Sequence, residues 1–187
     1  FKVVAATLPV LVISPLDDWM EAHFYNYITV AAMLILYGVL FLVVENRRIA
    51  PHVMRLDQIT YRDALLIGVF QVLALIPGTS RSGSTIIGGL VLGLSRKAAT
   101  EFSFFLAIPT IFGATVWDLW QSRDALAFDS LPAIAVGFVV SFVSAIVVVR
   151  WLLRYVSTND FRVFGWYRIV FGIVILVAGY FGVGIAL

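Results

Sequence analysis

Residues 76–86 read IPGTSRSGSTI and interrupt an apolar part of the chain with hydroxyl groups and one cation. Residues 64–76 and residues 86–94 on either side are mostly apolar. Each of these pieces is well below the roughly 20 residues that a membrane-spanning helix needs. The Pro-Gly pair at 77–78 favours a break between two short helices. Residues 61–94 are therefore predicted to form a re-entrant helical hairpin that dips to the middle of a membrane.

The composition of the whole chain is that of an integral membrane protein. Of its 187 residues, 61% are hydrophobic and 13% are charged, whereas soluble domains are about 45–50% apolar and about 25% charged. Cysteine is absent, which excludes disulfides and Cys-ligated metals. The basic residues flank apolar runs and form no single stripe, so the bilayer, and not a nucleic acid, is the expected partner.

The remaining apolar stretches predict an all-α polytopic fold in one transmembrane domain, residues 1–187. Four stretches are long enough to cross a membrane, namely 25–44, 98–117, 131–149 and 163–186. Residues 3–14 are interpreted as the rest of a further span. The chain begins with Phe1 inside an apolar run, and it is therefore expected to be part of a longer protein.

The distribution of charge predicts the topology. Basic residues concentrate in three segments, 46–62, 94–97 and 150–162, and acidic residues in two others, 15–24 and 118–130. The positive-inside rule assigns the basic segments to the cytoplasm. Both ends of 61–94 then lie on the same side of the membrane, as a re-entrant hairpin requires.

The tip of this hairpin has the composition of a phosphate site. The second short helix is expected to begin near Ser84, so its free N–H groups and its dipole favour an anion. Arg81 presents a planar fork of donors that suits phosphate oxygens, and a cation inside a membrane is costly enough to indicate function. The candidate catalytic residues are Arg81, Ser80, Ser82 and Glu101. The candidate substrate-binding residues are Gly78, Thr79, Ser84, Thr85 and Gln71.

Glu101 is the one acid clearly within a predicted apolar helix, and three roles are open to it. It can pair with Arg81, hold a divalent cation or act as a general base. Gln71 is predicted to face the same polar interior from the first short helix. A structural alternative also stands, because Ser, Thr and Gly often serve only packing in membrane helices.

The stretch PGTSRSGST at 77–85 resembles the PGxSRSxxT signature of the bacitracin-resistance family of bacterial undecaprenyl-diphosphate phosphatases. The surrounding stretches RDALLIGVFQVLALIPGTSRSGSTI and SRKAATEFSFFLAIPTIFGAT are similar to that family as well. The resemblance implies a bacterial inner-membrane enzyme that removes the terminal phosphate from a C55 polyprenyl diphosphate. Its product is the carrier lipid of peptidoglycan synthesis. The resemblance also implies dependence on Mg²⁺ or Ca²⁺. Further copies of the same chain, in a homo-oligomer, are an additional expected partner.

The same resemblance implies two inverted repeats, each with a re-entrant hairpin. Residues 1–60 then correspond to the end of the first repeat and residues 61–187 to the second. The family's E-x-x-x-E and Ser-Ser-Thr-Gly-His stretches do not occur here, so the missing repeat is expected before Phe1 and the metal ligands are unknown. Four residues match the signature and two its neighbourhood, all expected to grip the diphosphate, namely Ser80, Arg81, Ser82, Thr85, Gln71 and Glu101.

An alternative of another class is a membrane transporter or lipid flippase with an anion site at mid-membrane. Inverted repeats with broken helices are typical of transporters. Phosphate release from a polyprenyl diphosphate in detergent, with no gradient present, would support the phosphatase. Gradient-dependent flux without hydrolysis would support the transporter.

Overall fold

The computed structural model describes residues 1–47, 50–121, 123 and 131–181. These residues form eight α-helices and no named strand, which confirms the all-α prediction. The helices are α1 (Lys2–Ile13), α2 (Asp17–Phe24), α3 (Tyr27–Asn46), α4 (Tyr61–Val72), α5 (Arg81–Val91), α6 (Arg96–Gln121), α7 (Leu131–Thr158) and α8 (Arg162–Tyr180).

Four helices are long and apolar enough to cross a membrane, namely α3, α6, α7 and α8. They correspond to the four predicted spans, which confirms a polytopic membrane protein. One boundary differs strongly, because α7 continues to Thr158 through Arg150 and Arg154. The predicted basic loop 150–162 is therefore helical over most of its length. Arginine is a good helix former, and its long side chain reaches water from a helix end.

The hairpin consists of α4 and α5, which pack against each other. The segment that precedes α4 meets the end of α5, because the N–H groups of His52 and Val53 donate to the Gly93 carbonyl at 3.0 and 3.1 Å. The Ser95 N–H returns a bond of 2.8 Å to the Val53 carbonyl. At about 1.5 Å per residue, the two arms are only about 18 and 16 Å long. The segment starts and ends at one end of the bundle, as predicted.

The tip of the hairpin reaches past the middle of α3. A Cβ atom on Gly78 would lie 2.5 Å from the Val30 carbonyl oxygen, so the tip touches the backbone of α3. Val30 is three residues after the start of α3, at the end opposite Asn46. A 3₁₀ turn at Leu73–Leu75 extends the first arm by about 6 Å toward this position.

The most extensive helix pair, α3 with α8, is packed through glycines. A Cβ on Gly38 would lie 2.7 Å from the Gly165 carbonyl oxygen, and one on Gly172 would lie 2.9 Å from the Ala31 carbonyl oxygen. Small residues allow helix backbones to approach closely where no hydrophobic force drives association between helices in lipid. The α3–α8 pair therefore forms a wall beside the hairpin.

A buried carboxylate ties three helices together at the end opposite the hairpin tip. Glu45, near the end of α3, accepts from Nε of Arg96 at 2.9 Å and from the Phe161 N–H at 3.1 Å. Arg96 begins α6, and Phe161 precedes α8. A buried charge is costly unless it is paired and hydrogen-bonded, and Glu45 is both.

The glycine packing gives a stability prediction. Gly38→Ala should destabilise the protein by about 1–3 kcal/mol, because the methyl group overlaps the backbone of α8. Gly137 in α7 has no atom within 4 Å of its ideal Cβ position. Gly137→Ala is therefore the matched control, and it should be neutral or stabilising by up to about 1 kcal/mol. Thermal unfolding in one detergent measures both, and equal melting temperatures would contradict the packing argument.

The topology can be tested by cysteine labelling, because the chain has no cysteine of its own. The topology predicted from charge suggests cysteines at Ile49, Ala98 and Ala125, but Ile49 and Ala125 lie outside the described residues and Ala98 is fully buried. Met54 and Lys97 are exposed near the outer ends of the hairpin, and Tyr25 is exposed at the opposite end of α3.

Met54→Cys and Lys97→Cys should react with an impermeant maleimide from the cytoplasmic face, and Tyr25→Cys from the other face. Intact and permeabilised cells provide the comparison. Reaction of positions 54 and 97 from different faces would exclude a re-entrant hairpin.

Candidate active site

The tip is built by two residues with positive φ. Gly78 has φ +88° and Ser80 has φ +71°, a backbone region that is uncommon for residues other than glycine. Ser80 caps α5, because its Oγ accepts from the Gly83 N–H at 3.2 Å and its carbonyl accepts from the Ser84 N–H at 3.0 Å. This cap starts the helix at Arg81, three residues earlier than the predicted start near Ser84.

The first turn of α5 presents free donors. Among the described residues, the N–H groups of Arg81 and Ser82 have no hydrogen-bond acceptor. The Ser80 and Ser82 hydroxyl oxygens lie 3.4 Å apart beside them, with Ser82 exposed and Ser80 half-buried. Free N–H groups and the positive end of the helix dipole together make an anion site.

The Arg81 side chain adds a full positive charge to this site. Its Nη1 donates to the Thr110 hydroxyl on α6, and that hydroxyl donates to the Leu106 carbonyl at 2.9 Å. No carboxylate forms a salt bridge with Arg81 in the part of the chain that the structure describes. A half-buried cation among apolar helices calls for an anionic partner, and the free donors of α5 indicate the same charge.

Four of the predicted binding residues are buried and lie behind this surface, namely Gln71, Thr79, Ser84 and Thr85. The Thr85 hydroxyl lies 2.8 Å from that of Ser103 and 3.1 Å from the Arg81 carbonyl, so it ties α5 to α6. Both polar side-chain atoms of Gln71 lack a partner, as do the Thr79 and Ser84 hydroxyls. The structure thus separates the predicted residues into a surface group at the helix start and an interior group.

Glu101 is not brought to the tip. Its recorded partner is Lys97, one turn earlier on α6, at 3.9 Å. Thr110, which contacts Arg81, lies nine residues further along the same helix, or about 13 Å away. Of the roles that sequence left open for Glu101, pairing with Arg81 is not observed.

Metal ligands do not converge at this site. Within the described ranges, no group of three or more His, Asp or Glu side chains is placed to hold a metal ion. The buried acid Glu45 is already bonded to Arg96. These residues alone therefore do not fit a Mg²⁺ or Ca²⁺ site, since such ions need several oxygen ligands.

Two residues at the tip were missed by sequence reasoning. Thr110 gave no signal, because a hydroxyl after a proline is unremarkable in a membrane helix. Arg168 did give one, since it is a cation within the predicted span 163–186. Its Nη2 donates to the carbonyls of Gly78 and Thr79 at 2.8 and 2.9 Å.

Comparison with known proteins gives the chain clear relatives. Residues 1–174 match the family described as bacitracin resistance protein BacA. A protein of Cupriavidus metallidurans named undecaprenyl-diphosphatase is 48% identical over 203 aligned residues, which cover 97% of this chain and 69% of the relative. One of the same name from Lactiplantibacillus plantarum is 50% identical, with coverages of 96% and 67%. A third, from Methylococcus capsulatus, is 53% identical, with coverages of 87% and 60%.

The chain thus spans about two thirds of the length of these relatives. The family match extends over almost the whole chain and includes the hairpin, its tip and the helices α3, α6, α7 and most of α8 that surround it. The chain therefore belongs to the bacitracin resistance protein BacA family.

Proposed function

We propose that this chain is a membrane phosphatase that hydrolyses undecaprenyl diphosphate to undecaprenyl phosphate and inorganic phosphate. The names of its relatives support this activity. The observation that carries the proposal is the start of α5, where two free N–H groups meet a guanidinium that no described carboxylate pairs with, inside an apolar bundle. Nothing observed favours the transporter alternative.

The substrate's two parts match two parts of the molecule. The diphosphate group is a strong anion, and Arg81 with the N–H groups of Arg81 and Ser82 provides donors for its oxygens. The polyprenyl tail is apolar and remains in the bilayer that surrounds the four candidate spans. With the headgroup at the tip and the tail in lipid, the tail does not have to pass through the protein.

In the reaction, a water oxygen forms a bond to the terminal phosphorus and the bond from that phosphorus to the bridging oxygen breaks. The bridging oxygen stays with the lipid monophosphate. Negative charge on the phosphoryl oxygens is stabilised by the Arg81 fork, which Thr110 holds in place before substrate arrives. The Ser80 and Ser82 hydroxyls donate to the remaining oxygens.

Either Ser80 or Ser82 is also the candidate nucleophile of a two-step reaction. Such an attack needs a base to take the hydroxyl proton. The candidate base from sequence, Glu101, pairs with Lys97 and does not lie at the tip. A requirement for Mg²⁺ or Ca²⁺ is kept as a proposal from the family resemblance. Because the described residues gather no metal site, no step is assigned to the ion.

The position of the hairpin tip supports one face of the membrane as the side on which the reaction takes place. Gly78 lies near the first turn of α3, whereas the basic segments lie at the other end of the bundle. With the basic end in the cytoplasm of a bacterial inner membrane, the phosphate site opens toward the outer face. The lipid substrate and the bilayer are the proposed partners, and self-association of the chain is a further proposal.

The first prediction concerns the 187-residue chain expressed alone. It should bind diphosphate weakly and hydrolyse it at a rate at least about 100-fold below that of a chain extended with the unmatched part of the Cupriavidus metallidurans relative. The reason is that stabilising charge serves binding, whereas activating the attacking oxygen needs a base or a metal. Phosphate release in detergent, with and without EDTA, measures this. Full metal-dependent turnover by the 187-residue chain would contradict it and would make Glu101 the leading candidate base.

The second prediction concerns the Arg81 fork and is measured in the extended chain. Arg81→Lys should be nearly as damaging as Arg81→Ala, with kcat/KM lower by about 10²–10³, because lysine keeps the charge but loses the paired donors. Arg55→Lys is the matched control, since Arg55 is exposed and pairs with exposed Asp57. It should stay within about twofold of the parent, as expected for a surface pair. Near-normal turnover by Arg81→Lys would exclude a bidentate role.

A further inference from the structure

Arg168 is a second arginine inside the bundle, and its contacts differ from those of Arg81. It lies six residues into α8, about 9 Å from the helix start. Its Nη2 donates to two consecutive backbone carbonyls of the hairpin tip, those of Gly78 and Thr79, at 2.8 and 2.9 Å. The guanidinium of one wall helix therefore holds the backbone of the loop that precedes α5.

The surroundings of Arg168 are otherwise apolar. Its Cζ lies 5.8 Å from the centre of the Tyr37 ring, a distance at which the ring face attracts a cation. Its Nε is buried without a partner, and no described carboxylate forms a salt bridge with it. The loop carbonyls are thus the main polar partners of this charge, which makes the contact structurally specific.

The geometry of the peptide unit gives this contact a consequence at the phosphate site. In a trans peptide, the carbonyl and the following N–H point in opposite directions. With the Thr79 carbonyl turned toward Arg168, the Ser80 N–H points away from α8. The next residue, Ser80, has φ +71°, and such a conformation persists only where surrounding contacts impose it. Ser80 in turn caps α5 and leaves the Arg81 and Ser82 N–H groups free.

We infer that Arg168 is a positioning residue for the phosphate site. By binding the carbonyls of Gly78 and Thr79, it imposes the backbone of Ser80 and orients the first N–H groups of α5 toward a phosphate before the substrate binds. The inference rests on the proposed function of the tip as a diphosphate site. Its role differs from that of Arg81, whose side chain contacts no loop carbonyl and whose fork is needed by the substrate itself.

The difference predicts opposite responses to lysine. A lysine ammonium has three donors and can bind two carbonyl oxygens, so Arg168→Lys should keep much of the tether. Arg168→Gln removes the cation. Arg162→Gln is the matched control, because Arg162 begins the same helix and its Nη2 donates to the exposed Asn46 side chain, away from the tip.

Hydrogen exchange of the 187-residue chain in detergent tests the tether without any turnover. The reporters are the N–H groups of Thr79, Gly83 and Ser84, which are bonded within the tip. Arg168→Gln should speed their exchange about tenfold or more and Arg168→Lys by about two- to threefold, with α3 and α8 unchanged. Arg162→Gln should leave the tip at the parent rate. Unchanged exchange at the tip in Arg168→Gln would overturn the inference.

If Arg168→Gln does not purify as a folded protein, Arg168→Lys decides the question. Faster exchange at the three tip amides and nowhere else supports the tether, and parent rates there overturn it.

Binding of inorganic pyrophosphate separates positioning from direct contact. Arg168→Gln should weaken it about tenfold, whereas Arg168→Lys should stay within about threefold of the parent. Equal weakening by both variants with unchanged tip exchange would mean that Arg168 touches the anion, and would overturn the inference. Faster tip exchange in Arg168→Gln, together with no pyrophosphate binding by the parent chain, would contradict the proposed function but would still support the tether.

Discussion

The structure depends on one constraint, which is that polar backbone away from water must find a partner within the protein. Within a bilayer, irregular backbone is tolerated only where protein or a polar cavity surrounds it. The tip of the hairpin is such a backbone, with two positive φ angles and with N–H groups, among them those of Arg81 and Ser82, that lack an acceptor among the described residues. The neighbouring helices enclose it, because α3 touches Gly78, α6 contacts Arg81 and α8 binds the carbonyls of residues 78 and 79.

Arg81 and Arg168 have different contacts at this tip. Arg81 extends from the start of α5 and carries a charge that no described carboxylate neutralises. Arg168 extends from α8 and uses its donors on the loop backbone. In the proposed function, Arg81 offers its charge to the substrate, while Arg168 satisfies carbonyl groups that the break between α4 and α5 leaves free.

At the opposite end of the bundle, a carboxylate connects the helices. Glu45 joins the ends of α3, α6 and α8 through Arg96 and the Phe161 N–H. In this pair Glu45 is buried and Arg96 is partly exposed, and such a pair is a weak source of net stability, but its geometry is specific. With glycine contacts along α3 and α8, it fixes the wall from which Arg168 reaches the tip. The site is therefore supported by residues about 22 Å away from it along α3.

Sequence alone determined the fold class, the four spans, the hairpin and the residues that form its tip. Apolar runs of about 20 residues and half-length runs joined by Pro-Gly are local patterns, and local patterns are readable from order along the chain. Ser80, Arg81 and Ser82 were proposed as site residues from the same stretch, although the helix start was expected three residues later, near Ser84. Their donors come from one helix start and need no distant partner.

Only the tertiary structure decided which polar groups meet. Thr110 lies 29 residues from Arg81 along the chain, and Arg168 lies about 90 residues from the carbonyls it binds. Glu101 shares the short stretch that resembles the family, yet the rise of α6 carries it away from Arg81. Ser84 and Thr85 come only two and three residues after exposed Ser82, but the turn of α5 buries them. Helix rotation and helix packing, and not distance along the sequence, set these outcomes.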